Sequence, residues 1–178
     1  MTSDEELRQN AALREEVTQF LNQEAKLLDD QELHDWLDLI TDDIEYRVPV
    51  RVTRERGAEQ SEFSEKANIF KEDQLSLDAR VRRFDKEYAW SENPPTRTRR
   101  FVSNILLGEG GADIPDNEVA VRSNVFVYRA KEDEVDPNFI CGQRIDRLRR
   151  VDGELKLASR TVELDHTVLD TRPLSIFL

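Results

Sequence analysis

The sequence predicts an α+β fold, a curved and mostly antiparallel sheet with helices over its concave face. Three observations predict it. Apolar residues recur at helical spacing near the start of the chain and at strand spacing from about Thr98 onward, without the regular alternation of a parallel α/β chain. Asp152-Gly153, set between two strand-like runs, marks a two-residue hairpin loop. The 178 residues suffice for one compact core and are too few for two large ones, so residues 1–178 read as a single domain.

The elements follow in order. Ser3 with Glu6 suits a helix start, and Leu13, Val17, Phe20, Leu21 and Leu28 lie along one face of a helix reaching about Leu28. Asp30 is the expected N-cap of a second helix, in which Leu33, Trp36, Leu37 and Ile40 share one side. Ile44 to Val50 alternates with period two, and Pro49 places its end at a sheet edge. Residues 51–70 are charged and without steady period, and read as a long loop. Asp73 caps a third helix through about Lys86, with Leu77, Val81 and Phe84 on one face. Asn93-Pro94-Pro95 stops any helix. Four strands are then expected: Thr98 to Leu107, closed by a turn at Gly108, Gly110 and Gly111; Glu118 to Arg129; Asn138 to Val151; and Glu154 to about Asp165.

Composition narrows the function classes. The net charge is −12, so neither a nucleic acid nor an anionic membrane surface is an expected partner. Residues 1–45 carry 14 acids against Arg8, Arg14 and Lys26, while the rest of the chain is nearly neutral. This reads as an acidic solvated helical face, or as a docking surface for a basic partner. A single cysteine, Cys141, excludes an intramolecular disulfide. There is no apolar run of membrane-spanning length and no basic-then-apolar leader, so a cytoplasmic protein is expected.

The residues also limit the chemistry. A Rieske cluster needs two Cys and two His, which one Cys cannot supply. His34 and His166 lack the spacing of a metal motif, and Cys141 between Ile140 and Gly142 reads as a small buried hydrophobe. No phosphate-binding glycine loop is present. No cofactor is therefore expected in this chain. A competing class remains, a free-standing isomerase, dehydratase or small-molecule binder with Asp43, Tyr46, His34 and His166 near a pocket. For subunit contacts the candidates are Trp90, Pro94 and Pro95 on a stiff loop, with Arg97, Arg99, Arg100, Arg144 and Arg147, because aromatic rings and planar guanidinium forks are favoured at interfaces. The apolar ending Leu174-Ser175-Ile176-Phe177-Leu178 is expected to be docked, in this chain's core or in a neighbour.

Several segments together resemble a known family. They are Glu24-Ala25-Lys26-Leu27-Leu28-Asp29-Asp30, Tyr46-Arg47-Val48-Pro49-Val50, Arg80-Val81-Arg82-Arg83, Ala89 to Arg99, Val102-Ser103-Asn104, Arg122-Ser123-Asn124 with Val127-Tyr128-Arg129, Gly142 to Arg149, and Leu164 to Phe177. In order and spacing they resemble the small (β) subunits of aromatic-ring-hydroxylating dioxygenases. The chain departs from that pattern at His166, where Gln is expected, and at Arg100, where His often stands. The resemblance implies a cone-shaped sheet with helices, like nuclear transport factor 2 and scytalone dehydratase. It implies a non-catalytic structural subunit that holds large (α) subunits together, three large with three small, the small ones in contact as a trimer. The Rieske 2Fe-2S cluster and the mononuclear iron are implied for the large subunit, which dihydroxylates an aromatic compound.

Overall fold

The computed structural model describes residues 4–52, 61–88, 96–108, 114–130, 137–166 and 177–178. The elements are α1 (Asp4–Asp29), α2 (Leu33–Leu37), β1 (Ile40–Arg51), β2 (Phe63–Glu72), α3 (Gln74–Tyr88), β3 (Arg97–Leu107), β4 (Glu118–Ala130), β5 (Asn138–Val151) and β6 (Glu154–Leu164). The strands form one curled, unclosed sheet in the order β2-β1-β6-β5-β4-β3. β1 and β6 run parallel, with Tyr46 opposite Arg160, and every other neighbouring pair is antiparallel. The helices cover one face, called the inner face below, and the other face is open. The α+β class expected from the sequence is the class observed.

Local chemistry explains most of these elements. Val17, Leu21 and Leu28 recur at helical spacing in α1 and are buried against the sheet. Asp73 and Ser76 start α3 by reciprocal bonds: Asp73 Oδ1 accepts the Ser76 N–H at 2.9 Å, and Ser76 Oγ accepts the Asp73 N–H at 2.8 Å. Leu77 and Val81 then face the core. Asp152 (φ 51°) and Gly153 (φ 91°) make the two-residue loop joining β5 to β6, with the positive angles that such a loop requires. Gly142 serves another purpose. A Cβ there would stand 2.6 Å from the main-chain oxygen of Glu163, so only glycine lets β5 approach β6 this closely.

Four expectations need correction. Residues 63–70 are not loop but most of β2, which pairs antiparallel with β1 and lies at the sheet edge. Its charges and uneven burial suit an edge strand, which is why no clean period shows. The second helix is only five residues long, and Ile40 begins β1 opposite Leu157. Its N-cap is Glu32 without a side-chain bond, while Asp30 pairs instead with Lys26 at 2.7 Å. Finally, Pro49 does not mark an edge. β1 lies between β2 and β6, and the missing N–H is accommodated by shifts of register at Pro49 in the pairing with β2. Gly110 and Gly111 lie outside the described residues, while Gly108 closes β3 with φ 79°.

Candidate functional site

The strand parity that turns Ile140 and Leu148 inward on β5, and Val162 and Leu164 inward on β6, does the same for Arg144, Asp146 and Arg160. Helical spacing likewise aims Glu24 of α1 at the sheet, on the stripe of Val17, Leu21 and Leu28. All four charged side chains are at most 1 % exposed. Arg160 is the hub. Its Nε and Nη2 donate to both oxygens of Asp146 at 2.8 Å, and its Nη1 and Nη2 donate to the Glu24 carboxylate at 2.6 and 2.8 Å. Trp36 Nε1 donates to Glu24 at 3.2 Å, and Arg144 Nη1 at 3.4 Å.

Two carboxylates and two guanidinium groups leave this cluster neutral, the condition under which buried charge is tolerated. Burial alone would raise the Glu24 pKa, but Arg160 and Arg144 hold it at about 2. Burial also opposes the charge on Arg160, and Asp146 with Glu24 outweighs it, so its pKa lies well above the ordinary value. Arg144 has the weaker position. Burial and the neighbouring Arg160 charge lower its pKa to about 10.

The chain's own ending fills the space beside this cluster. Phe177 and Leu178 are buried. The Tyr46 hydroxyl donates to the main-chain oxygen of Leu178 and accepts the Leu178 N–H at 2.8 Å. Arg160 Nη1 reaches the same oxygen at 3.3 Å. Arg100 Nη2 donates to the Phe177 oxygen at 2.6 Å, while its Nη1 meets Asp29 at 2.5 Å. The Phe177 ring centre stands 4.5 Å from that of Trp36, with the Arg80 guanidinium 4.9 Å away on the ring face. The expectation of a docked tail is met at Phe177 and Leu178, inside this chain; residues 171–176 lie outside the described residues.

The residues put forward for a pocket enzyme do not converge. Asp43 faces an open cleft of about 530 Å³ on the outer face, where Arg149 binds it at 2.7 Å and holds its pKa below the usual range. Tyr46 is on the inner face, and burial pushes its phenol up. His34 is exposed beside Asp85 at 3.0 Å, and His166 is exposed after β6. Burial and Asp165 raise the Cys141 thiol, which disfavours the nucleophilic thiolate. Among the described residues no group of three or more His, Cys, Asp or Glu is placed to hold a metal ion, and no helix is long and apolar enough to cross a membrane.

Among the contact candidates, Trp90, Pro94 and Pro95 lie outside the described residues. Arg97 and Arg99 are exposed on β3, the other edge strand. Arg147 is half-buried on the outer face, 4.0 Å from Glu118. Arg100 and Arg144 turn inward to Asp29 and Glu24 and are buried within the chain. The outer face holds what the sequence reading missed. Phe101, Phe126, Tyr128 and Phe139 are 57, 37, 36 and 48 % exposed on β3, β4 and β5. Their rings touch in a row, with centres 6.2 Å apart for Phe101–Phe126, 5.5 Å for Phe126–Phe139 and 5.8 Å for Tyr128–Phe139. The signal was present, since Phe126 and Tyr128 alternate with the inward Val125 and Val127.

Comparison with known proteins agrees with this geometry. The family model described as "Ring hydroxylating beta subunit" matches residues 23–171. The chain is 36 % identical over 172 residues to the biphenyl 2,3-dioxygenase subunit beta of Rhodococcus jostii (strain RHA1), covering 93 % of this chain and 89 % of that one. Among solved structures it is similar to naphthalene 1,2-dioxygenase with indole bound in its active site, at TM-score 0.79 and 28 % identity over 99 % of this chain and 95 % of that chain. A putative scytalone dehydratase from Novosphingobium aromaticivorans DSM 12444 shares the fold at TM-score 0.63 and 17 % identity, over 88 % of this chain and 87 % of that one.

Proposed function

The chain belongs to the ring-hydroxylating β-subunit family, and on that premise we propose that it is the structural subunit of a terminal oxygenase that dihydroxylates an aromatic compound. One observation carries the structural role. The inner face, where a fold of this kind can enclose a pocket, is occupied here by the Glu24–Arg144–Asp146–Arg160 cluster and by Phe177 and Leu178. A neutral, hydrogen-bonded cluster of this sort fixes geometry and offers no free acid or base. The free-standing pocket enzyme is not favoured, because Asp43, Tyr46, His34 and His166 share no site.

In this reading the partner is a large (α) subunit that carries the Rieske 2Fe-2S cluster and the mononuclear iron. Three large and three small subunits assemble in the cytoplasm, with the small subunits in mutual contact as a trimer, for the breakdown of an aromatic hydrocarbon. The exposed Arg97 and Arg99 remain contact candidates, together with Trp90, Pro94 and Pro95. Co-expression with the large subunit tests the proposal. Affinity purification through a tag on this chain is expected to bring the large subunit with it in equal amount, and the mixture to turn over an aromatic substrate that this chain alone leaves untouched. A chain that stays monomeric and captures no large subunit would sink the reading.

A further inference from the structure

We infer that the inner face holds a binding site for one small monovalent anion, of chloride size, between the guanidinium of Arg144 and the hydroxyl of Ser123. The inference goes beyond the subunit reading above and does not depend on it.

The site is built of donors. Arg144 on β5 is fully buried, and its register partner on β4, Ser123, is 1 % exposed. Directly opposite residues of an antiparallel pair carry their Cβ atoms about 4.5–5.5 Å apart on the same face. Arg144 commits only Nη1 to Glu24, at 3.4 Å. Its Nε and Nη2 are buried and meet no acceptor, and the buried Ser123 Oγ has no partner either. Nε and Nη2 form one edge of the guanidinium, the edge with which Arg160 holds both oxygens of Asp146 at 2.8 Å. On Arg144 the same fork is open. Val162, its register partner on β6, offers no side-chain acceptor.

The donor set selects the occupant. Buried donors without acceptors are costly, and an occupant that only accepts satisfies all three at once. A water molecule must donate as well as accept. Each oxygen of the nearby Glu24 already accepts two bonds, which leaves such a water Ser123 Oγ and little else. Charge favours an anion too. Among the described residues the inner side sets Arg80, Arg100, Arg129, Arg144 and Arg160 against Glu24, Asp29, Glu72 and Asp146, an excess of one positive charge that belongs to Arg129 further along β4. Burial and the Arg160 charge lower the Arg144 pKa to about 10, as befits a cation short of counter-charge. Apolar surroundings strengthen the attraction an anion would supply.

The test compares the unfolding temperature of the full chain in sodium chloride and in sodium gluconate at equal ionic strength, gluconate being too large to be enclosed. A ligand that binds only the folded chain stabilises it by mass action, so chloride at about ten times its dissociation constant is expected to raise the unfolding temperature by about 3–6 °C. Ser123→Ala removes one donor and is expected to need several-fold more chloride for the same rise. Arg144→Met is expected to abolish the rise. In crystals soaked in bromide, an anomalous peak is expected in the Arg144 fork. If Arg144→Met fails to fold, Ser123→Ala and the bromide peak decide. Equal unfolding temperatures of the wild type in the two salts overturn the inference, and a water then fits the fork better. A chloride response that is unchanged in Ser123→Ala overturns it as well, as does bromide bound elsewhere with none at Arg144.

Discussion

Along β5, Arg144 and Asp146 point toward the helices while Phe139 and Ile145 point away; along β4, Phe126 and Tyr128 point away between the inward Val125 and Val127. The same strands thus place charge inside and aromatic rings outside, against the common distribution of residue types. The two faces solve different problems. Inside, charges are bearable because opposite signs meet within hydrogen-bonding distance and sum to zero. Outside, the rings stay partly exposed and shield one another by packing in a row. The comparison teaches that the inner face secures the fold, whereas the outer face leaves a row of aromatic rings at the surface.

Breaking the inner face should have the largest effect. Arg160→Met leaves Glu24 and Asp146 as facing carboxylates, and a loss of about 3–5 kcal/mol is expected in urea unfolding. Adding Asp146→Leu should recover part of it, because Glu24 and Arg144 then remain as a neutral pair. Phe177→Ala is expected next, at about 3 kcal/mol, since it empties the space between Trp36 and Arg80. Acid should act on the same face. With Glu24 at about 2 in the folded chain against 4.5 ordinarily, the unfolded chain binds more protons between those values. Stability therefore rises with pH through this window, is fully present above about pH 4.5, and is lost as pH falls through about 2. Up to roughly 3 kcal/mol is at stake, and Glu24→Gln should flatten this part of a plot of urea midpoint against pH. The smallest effect belongs to the outer face. Phe101→Lys should move the unfolding free energy of the single chain by about 0.5 kcal/mol or less. A loss there as large as that of Phe177→Ala would abolish the contrast between the faces.

The sequence revealed those parts of the fold whose causes are local. The β5–β6 hairpin follows from Asp152-Gly153, the start of α3 from Asp73, and the four long strands from their period. β2 stayed hidden because its edge position removes the apolar alternation that identifies a strand. The inner cluster was half visible. Glu24 falls on the stripe of Leu21 and Leu28, and Arg144 shares the parity of Ile140 and Leu148, which marks both as inward. What no local pattern could supply is that Glu24 meets Arg160, 136 residues away. Arg100 and Arg144 were read as surface contacts for the same reason, since an arginine on a strand looks alike until the facing carboxylate is known. The row of outer rings was written in the alternation of β4, but its meaning depends on Phe101 and Phe139 arriving from neighbouring strands.

The parallel pairing of β1 with β6 has a consequence in time. Tyr46 and Arg160 are register partners, yet they are separated by most of the chain. As the polypeptide leaves the ribosome, α1, β1 and β2 are complete long before β6 exists, and one side of β1 waits with unpaired main-chain groups. Contacts of such long sequence separation close slowly, and exposed strand edges invite association with the wrong chain in the interval. The nascent chain is thus most exposed to wrong pairing just before β6 is made, because only β6 covers that side of β1 among the described residues.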